Sequence, residues 1–99
     1  MTKVGLGGVV ISSIVYTARF KKDWKKLPTD LQDMAKDKLR DLMKNPMPAG
    51  LRFEKLKGYR NPSIYTIHVT GNYKISLEIV RDQAVLRRIA CHDDIDRAP

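Results

Sequence analysis

Cysteine is almost missing from this sequence. Cys91 stands alone among 99 residues, so no internal disulfide can form. A single thiol fits a reducing cytoplasm, and Cys91 has no metal-ligand spacing around it, so neither a metal centre nor a cofactor is expected. Long apolar runs are missing too. The longest, Val4 to Tyr16, is too short to span a bilayer. It follows one basic residue, Lys3, and lacks a small-x-small cleavage site, so it does not read as a secretory signal. Gly5, Gly7 and Gly8 do not open a helical pattern, which argues against a phosphate-binding loop; residues 1–8 read as a flexible leader. There is no repeat, no low-complexity tract, no Ser-His-Asp order and no paired-carboxylate motif. Residues 1–99 read as one domain.

Acidic residues are outnumbered: 19 Lys and Arg face 11 Asp and Glu, a net charge of +8. Between Arg19 and Arg60 thirteen basic residues meet six acidic ones, which accounts for seven of the eight excess charges. Such a concentration suits a polyanionic partner, whether nucleic acid, an anionic membrane or an acidic protein, and it also suits a merely solvated surface. A hydrophobic fraction of 42% is ordinary for a globular domain and excludes a disordered chain.

The apolar periodicities predict an α+β fold. Val9 to Thr17 is β-branched and reads as a first strand. Phe20, Trp24 and Leu27 recur at helical spacing, and Pro28 stops that helix. Thr29 and Gln32 have capping-box spacing for a second helix, with Leu31, Met34, Ala35, Leu39, Leu42 and Met43 as its apolar stripe and the methionines as core fillers. The two helices form a hairpin whose apolar sides pack on one face of a sheet. Leu51 to Asn61 reads as a basic connection. Three antiparallel strands follow at about Ile64–Thr70, Tyr73–Val80 and Ala84–Cys91, and the tail from His92 has no clear period.

The strand periods set the register. A two-residue Gly71-Asn72 turn sets apolar residues of one strand against polar ones of the next, whereas pairing Thr70 with Lys74 does not. A loop at Arg81-Asp82-Gln83 pairs Val80 with Ala84, Ser76 with Arg88 and Lys74 with Ala90. One uncovered face then carries His68, Lys74, Ser76, Glu78, Arg88 and His92, at the cost of turning Leu86 outward and Arg87 inward. Such a face has the parts for metal-free RNA cleavage. Histidines titrate near neutrality and can take or give the proton, and Lys and Arg stabilise the charged phosphorane.

The order strand, helix hairpin, three strands, with LKGYRNPSIYTIHVTGNYKISLEI (Leu56 to Ile79), RRIACHDDIDR (Arg87 to Arg97) and the opening VYTARFKKDWKKLP (Val15 to Pro28), resembles the RelE/ParE superfamily of toxin–antitoxin toxins. The resemblance covers nearly the whole chain after Val9. It implies a ribosome-dependent mRNA endonuclease or, in the ParE branch, a gyrase inhibitor; a member that only binds its antitoxin is a third reading. It also implies a cognate antitoxin as partner, no membrane partner, and a cytoplasmic location. The nearest pattern is YafQ-like, and by it His92 and His68 are the catalytic histidines; Lys74 matches a basic residue of several RelE-like nucleases, and Arg88 joins it as a supporting cation from its place on the same predicted face. Lys55, Lys57 and Arg60, with Asn72 in place of a hairpin acid, are the RNA contacts. The chain departs from many relatives where they carry a tail aromatic: Asp96 stands there, or Ile95 on a shifted alignment.

Overall fold

The computed structural model describes residues 10–99, so the expected glycine leader and Val9 lie outside the described residues. The elements run β1 (Ser13–Tyr16), α1 (Ala18–Lys25), α2 (Thr29–Leu42), β2 (Glu54–Arg60), β3 (Ser63–His68), β4 (Tyr73–Val80), β5 (Gln83–Cys91) and α3 (His92–Arg97). One five-stranded sheet has the order β1-β5-β4-β3-β2. Only β1 and β5 run parallel; the other neighbours are antiparallel. The architecture is α+β, with the helical hairpin after the first strand, as the sequence predicts.

α1 begins at Thr17, whose hydroxyl accepts a hydrogen bond from the Phe20 N–H at 3.2 Å and donates one to the Leu86 carbonyl at 2.7 Å. One side chain thus caps the helix and ties it to β5. Thr29 does not cap α2: Pro28 holds the N-cap position without a side-chain bond, and Gln32 donates instead to the Trp24 carbonyl at 2.9 Å, joining the two helices. Phe20, Ala35, Leu39 and Leu42 from the hairpin pack with Ile67, Ile75, Leu77, Ala84, Leu86 and Ile89 from the sheet into the main core. Burying each large side chain of this set contributes about 1.5–3 kcal/mol. The methionine expectation fails in part. Met34 and Met43 are 45% and 44% exposed, because the buried stripe of α2 is narrower than its apolar composition; among the described methionines only Met47 packs against the core.

Two elements were not legible as such. Leu51 to Asn61 contains β2, an edge strand whose charged residues are exposed and whose ladder to β3 is irregular between Lys55 and Arg60. The tail contains α3, a six-residue helix with Ile95 fully buried and Asp93 and Asp94 in its first turn, where carboxylates favour the helix dipole. α3 lies on the sheet face opposite the hairpin. That face is therefore not open: Thr66 and Ser76 are fully buried and Lys74 nearly so.

Two register details differ from the predicted ones. His68, not Thr70, pairs with Lys74. The two-residue difference keeps every side chain on its predicted face, and Thr70 instead folds the turn, its hydroxyl accepting the N–H groups of Asn72 and Tyr73. Between β4 and β5, Ser76 pairs with Arg88 and Lys74 with Ala90 as predicted, but Val80 pairs with Gln83 across a tighter Arg81-Asp82 turn. A bulge at Arg87 absorbs the difference, since Leu77 pairs with Leu86 while Ser76 pairs with Arg88. The bulge turns Leu86 into the core, where it is fully buried, and keeps Arg87 out of it.

Candidate active site

The histidines stand where β3 ends and α3 begins. β5 runs to Cys91, and α3 starts at His92. The His92 N–H donates to the Asn72 carbonyl at 2.9 Å, so the β3–β4 turn fixes the start of the helix. This brings the His92 ring against that of His68, with centroids 4.9 Å apart and planes 86° from parallel. Lys74 is the cross-strand partner of His68. Three of the four expected catalytic residues are therefore adjacent.

Lys74 is not a free cation. Its ammonium donates to an Asp96 carboxylate oxygen at 3.1 Å, with the Lys74 side chain 11% exposed and Asp96 52% exposed. Asp96 is the counter-charge of the site. It is half in water, whereas the ammonium it pairs with is nearly enclosed.

Arg88 stands apart. Its guanidinium donates to Asp23 on α1 at 3.1 Å and to the Ala98 carbonyl at 3.2 Å. The Asp23 and Arg88 side chains are 12% and 16% exposed, and Asp23 also accepts the Ile89 N–H at 3.1 Å. Arg88 joins β5 to α1 and is engaged on both sides.

The sequence reading missed Arg52. It ends a 3₁₀ turn at Ala49–Leu51 with φ of 54°, a left-handed conformation uncommon for a side-chain-bearing residue. The next residue, Phe53, stacks on Tyr65 at 5.2 Å. The Arg52 charge acts on His68. Burial lowers the His68 pKa below its ordinary value; the charges of His92, Arg52 and Lys74 lower it further, and Glu54 opposes them. Replacing Arg52 with glutamine should raise the His68 pKa, read by NMR titration of its ring protons. An unchanged value would show that this charge is screened.

The expected RNA contacts divide. Lys55 and Lys57 are exposed on β2, Arg60 lies at the far end of that strand beside the turn to β3, and Asn72 serves His92 through its backbone carbonyl. His92 Nε2 is enclosed and has no hydrogen-bond partner. Among the described residues no group of three or more His, Cys, Asp or Glu is placed to hold a metal, and no helix is long and apolar enough to cross a membrane.

No family sequence model and no curated relative matches the chain. Solved structures do. In the RelB–RelE antitoxin–toxin complex from Methanococcus jannaschii, the matched chain is 30% identical with a TM-score of 0.67, over 86% of this chain and 99% of that one. The E. coli DinJ–YafQ toxin–antitoxin complex matches at 20% identity and a TM-score of 0.68, over 83% of this chain and 93% of that one. A YoeB/ParE toxin from Agrobacterium tumefaciens matches at 15% identity and a TM-score of 0.66, over 82% of this chain and 99% of that one.

Proposed function

Since this chain belongs to the RelE/ParE superfamily of toxins, we propose that it is a metal-independent mRNA endonuclease that acts on the ribosome and arrests translation. The observation that carries this reading is the His68–His92 contact beside Lys74. A histidine whose pKa is pushed down is neutral at physiological pH, so His68 is suited to be the base. It takes the proton of the 2′-hydroxyl as that oxygen attacks phosphorus. The P–O5′ bond breaks, a 2′,3′-cyclic phosphate forms, and His92 gives the leaving 5′-oxygen its proton. Lys74, released from Asp96 by the phosphate, stabilises the phosphorane. His92 Nε2 is enclosed in the free protein, so its ring must turn outward when RNA enters. Arg88 orients β5 through Asp23 rather than contacting phosphate. A cognate antitoxin is the natural partner, as RelB and DinJ are for the relatives seen in complex with them.

Expression in bacterial cells with transcript ends mapped on and off ribosomes tests the reading. The expected result is growth arrest with mRNA cut only on ribosomes, the upstream fragment ending in a 2′,3′-cyclic phosphate. Arrest with intact transcripts and an SOS response would move the target to gyrase, as in the ParE branch. Growth without arrest would leave only antitoxin binding.

A further inference from the structure

The bulge in β5 has a counterpart at the opposite end of the sheet from the histidines. Arg87 in the bulge, Arg19 at the start of α1, Arg60 at the end of β2 and Arg97 at the end of α3 line one depression of about 370 Å³, together with Tyr59 and Asn61. Arg19 is also a wall of two adjoining depressions of about 200 and 660 Å³, which add Arg88, Lys22 and Lys26. The acids in these walls are Glu78 and Asp23, and each is spent on a partner: Glu78 on Arg87, Asp23 on Arg88. Arg97 pairs with Asp94 in solvent, and Arg87 also donates to the Pro99 carbonyl at 3.3 Å. Arg19 and Arg60 have no carboxylate partner among the described residues.

Side chains from α1, β2, β5 and α3 thus set four arginines around one depression, and like charges held together repel unless an anion lies among them. The 370 Å³ depression holds four arginines and no lysine. The planar guanidinium fork meets phosphate oxygens with two parallel hydrogen bonds and sheds water more readily than an ammonium. Tyr59 offers a ring on which a base can stack, and the Asn61 amide can meet a base edge, the combination used on single strands. The length of β3 from Ser63, beside Arg60, to His68 is about 17 Å at the usual strand rise. Arg60 therefore stands too far from His68 to hold the phosphate being cleaved.

We propose that this pocket binds the phosphodiester backbone of the same RNA strand several nucleotides from the scissile bond. The proposal rests on the RNA-cleaving reading above and adds a second anchoring site to it. α3 spans the ground between the two, with His92 at one end and Arg97 at the other.

The probe is a fluorescein-labelled single-stranded RNA with 2′-O-methyl groups, which binds without being cut. Arg19→Gln/Arg60→Gln removes two exposed side chains that make no ion pair, and Lys21→Gln/Lys36→Gln removes the same charge from the helical hairpin. The arginine double variant should bind at least about tenfold more weakly. Its log K against log salt should be shallower by about 1.4, two contacts at 0.7 each. The lysine double variant should lose far less. Equal losses in the two would reduce the pocket to net charge and overturn the proposal, as would unchanged RNA binding with lost affinity for an acidic antitoxin peptide. If wild type cuts mRNA while the arginine variant binds RNA normally, the pocket falls and the nuclease reading stands. If wild type binds no RNA even at low salt, the pocket falls, and cleavage on ribosomes decides the nuclease reading separately.

Discussion

Replacing His92 with glutamine should slow cleavage of ribosome-bound mRNA by roughly 10²–10⁴-fold, the range that positioned proton transfer supplies. His68→Gln should cost a similar factor. The double variant should lose less than the product of the two, because acid and base serve one transition state. Glutamine keeps volume and hydrogen-bonding capacity, so RNA affinity should survive while turnover does not. Undiminished cleavage by His92→Gln would remove that residue from the chemistry. The pH profile carries a second signature. Since burial and the neighbouring cations lower the His68 pKa, the neutral base persists below 6.5, and the acidic limb of the rate should lie below that value. Arg52→Gln should shift the limb toward higher pH. Stability follows the same sign. The unfolded chain binds the His68 proton more tightly than the folded one, so this contribution is complete above about 6.5 and is lost as pH falls from there through the lower folded pKa.

Asp23→Ala should destabilise the fold by about 3 kcal/mol, a large share of the stability of a small domain. The change strands two groups at once: the Arg88 guanidinium, 16% exposed, loses its carboxylate, and the Ile89 N–H loses its acceptor. A shift in the denaturation midpoint at constant slope is the measurement. Asp23→Asn, which keeps an acceptor for Ile89, should lose less. A loss under about 1 kcal/mol for the alanine variant would mean that water replaces the carboxylate freely.

Much of this architecture was legible because burial imposes period. The helical recurrence of Phe20, Trp24 and Leu27 and the alternation of Tyr73 to Ile79 each point at a core, and the core is there. β2 escaped because Glu54, Lys55, Lys57 and Gly58 are poor strand formers held by pairing to β3, with Gly58 at φ of 89°. α3 escaped because six residues with one buried side chain cannot display a period. Its cost was larger: without α3 the second sheet face looked open, and Lys74 looked like a free cation. The bulge was announced in the sequence as a misfit, Leu86 outward and Arg87 inward, which one unpaired residue resolves. The two histidines were placed on one face by parity alone; their contact depends on the His92 tie to Asn72, which no pattern encodes. Arg52 offered no pattern either, since nothing in the sequence places its charge near His68.

β1 covers only the first part of β5, ending opposite Leu86. An uncovered strand edge is a template on which another chain can add itself, the first step toward aggregation. Here the edge is closed by side chains: the Thr17 hydroxyl occupies the Leu86 carbonyl and Asp23 occupies the Ile89 N–H. At the other border β2 meets solvent with Lys55, Lys57 and Arg60, whose charges repel a second copy. The first border is thus guarded by hydrogen bonds that salt leaves intact, and the second by a repulsion that salt screens. High ionic strength therefore exposes β2 to self-association while leaving the β5 border sealed.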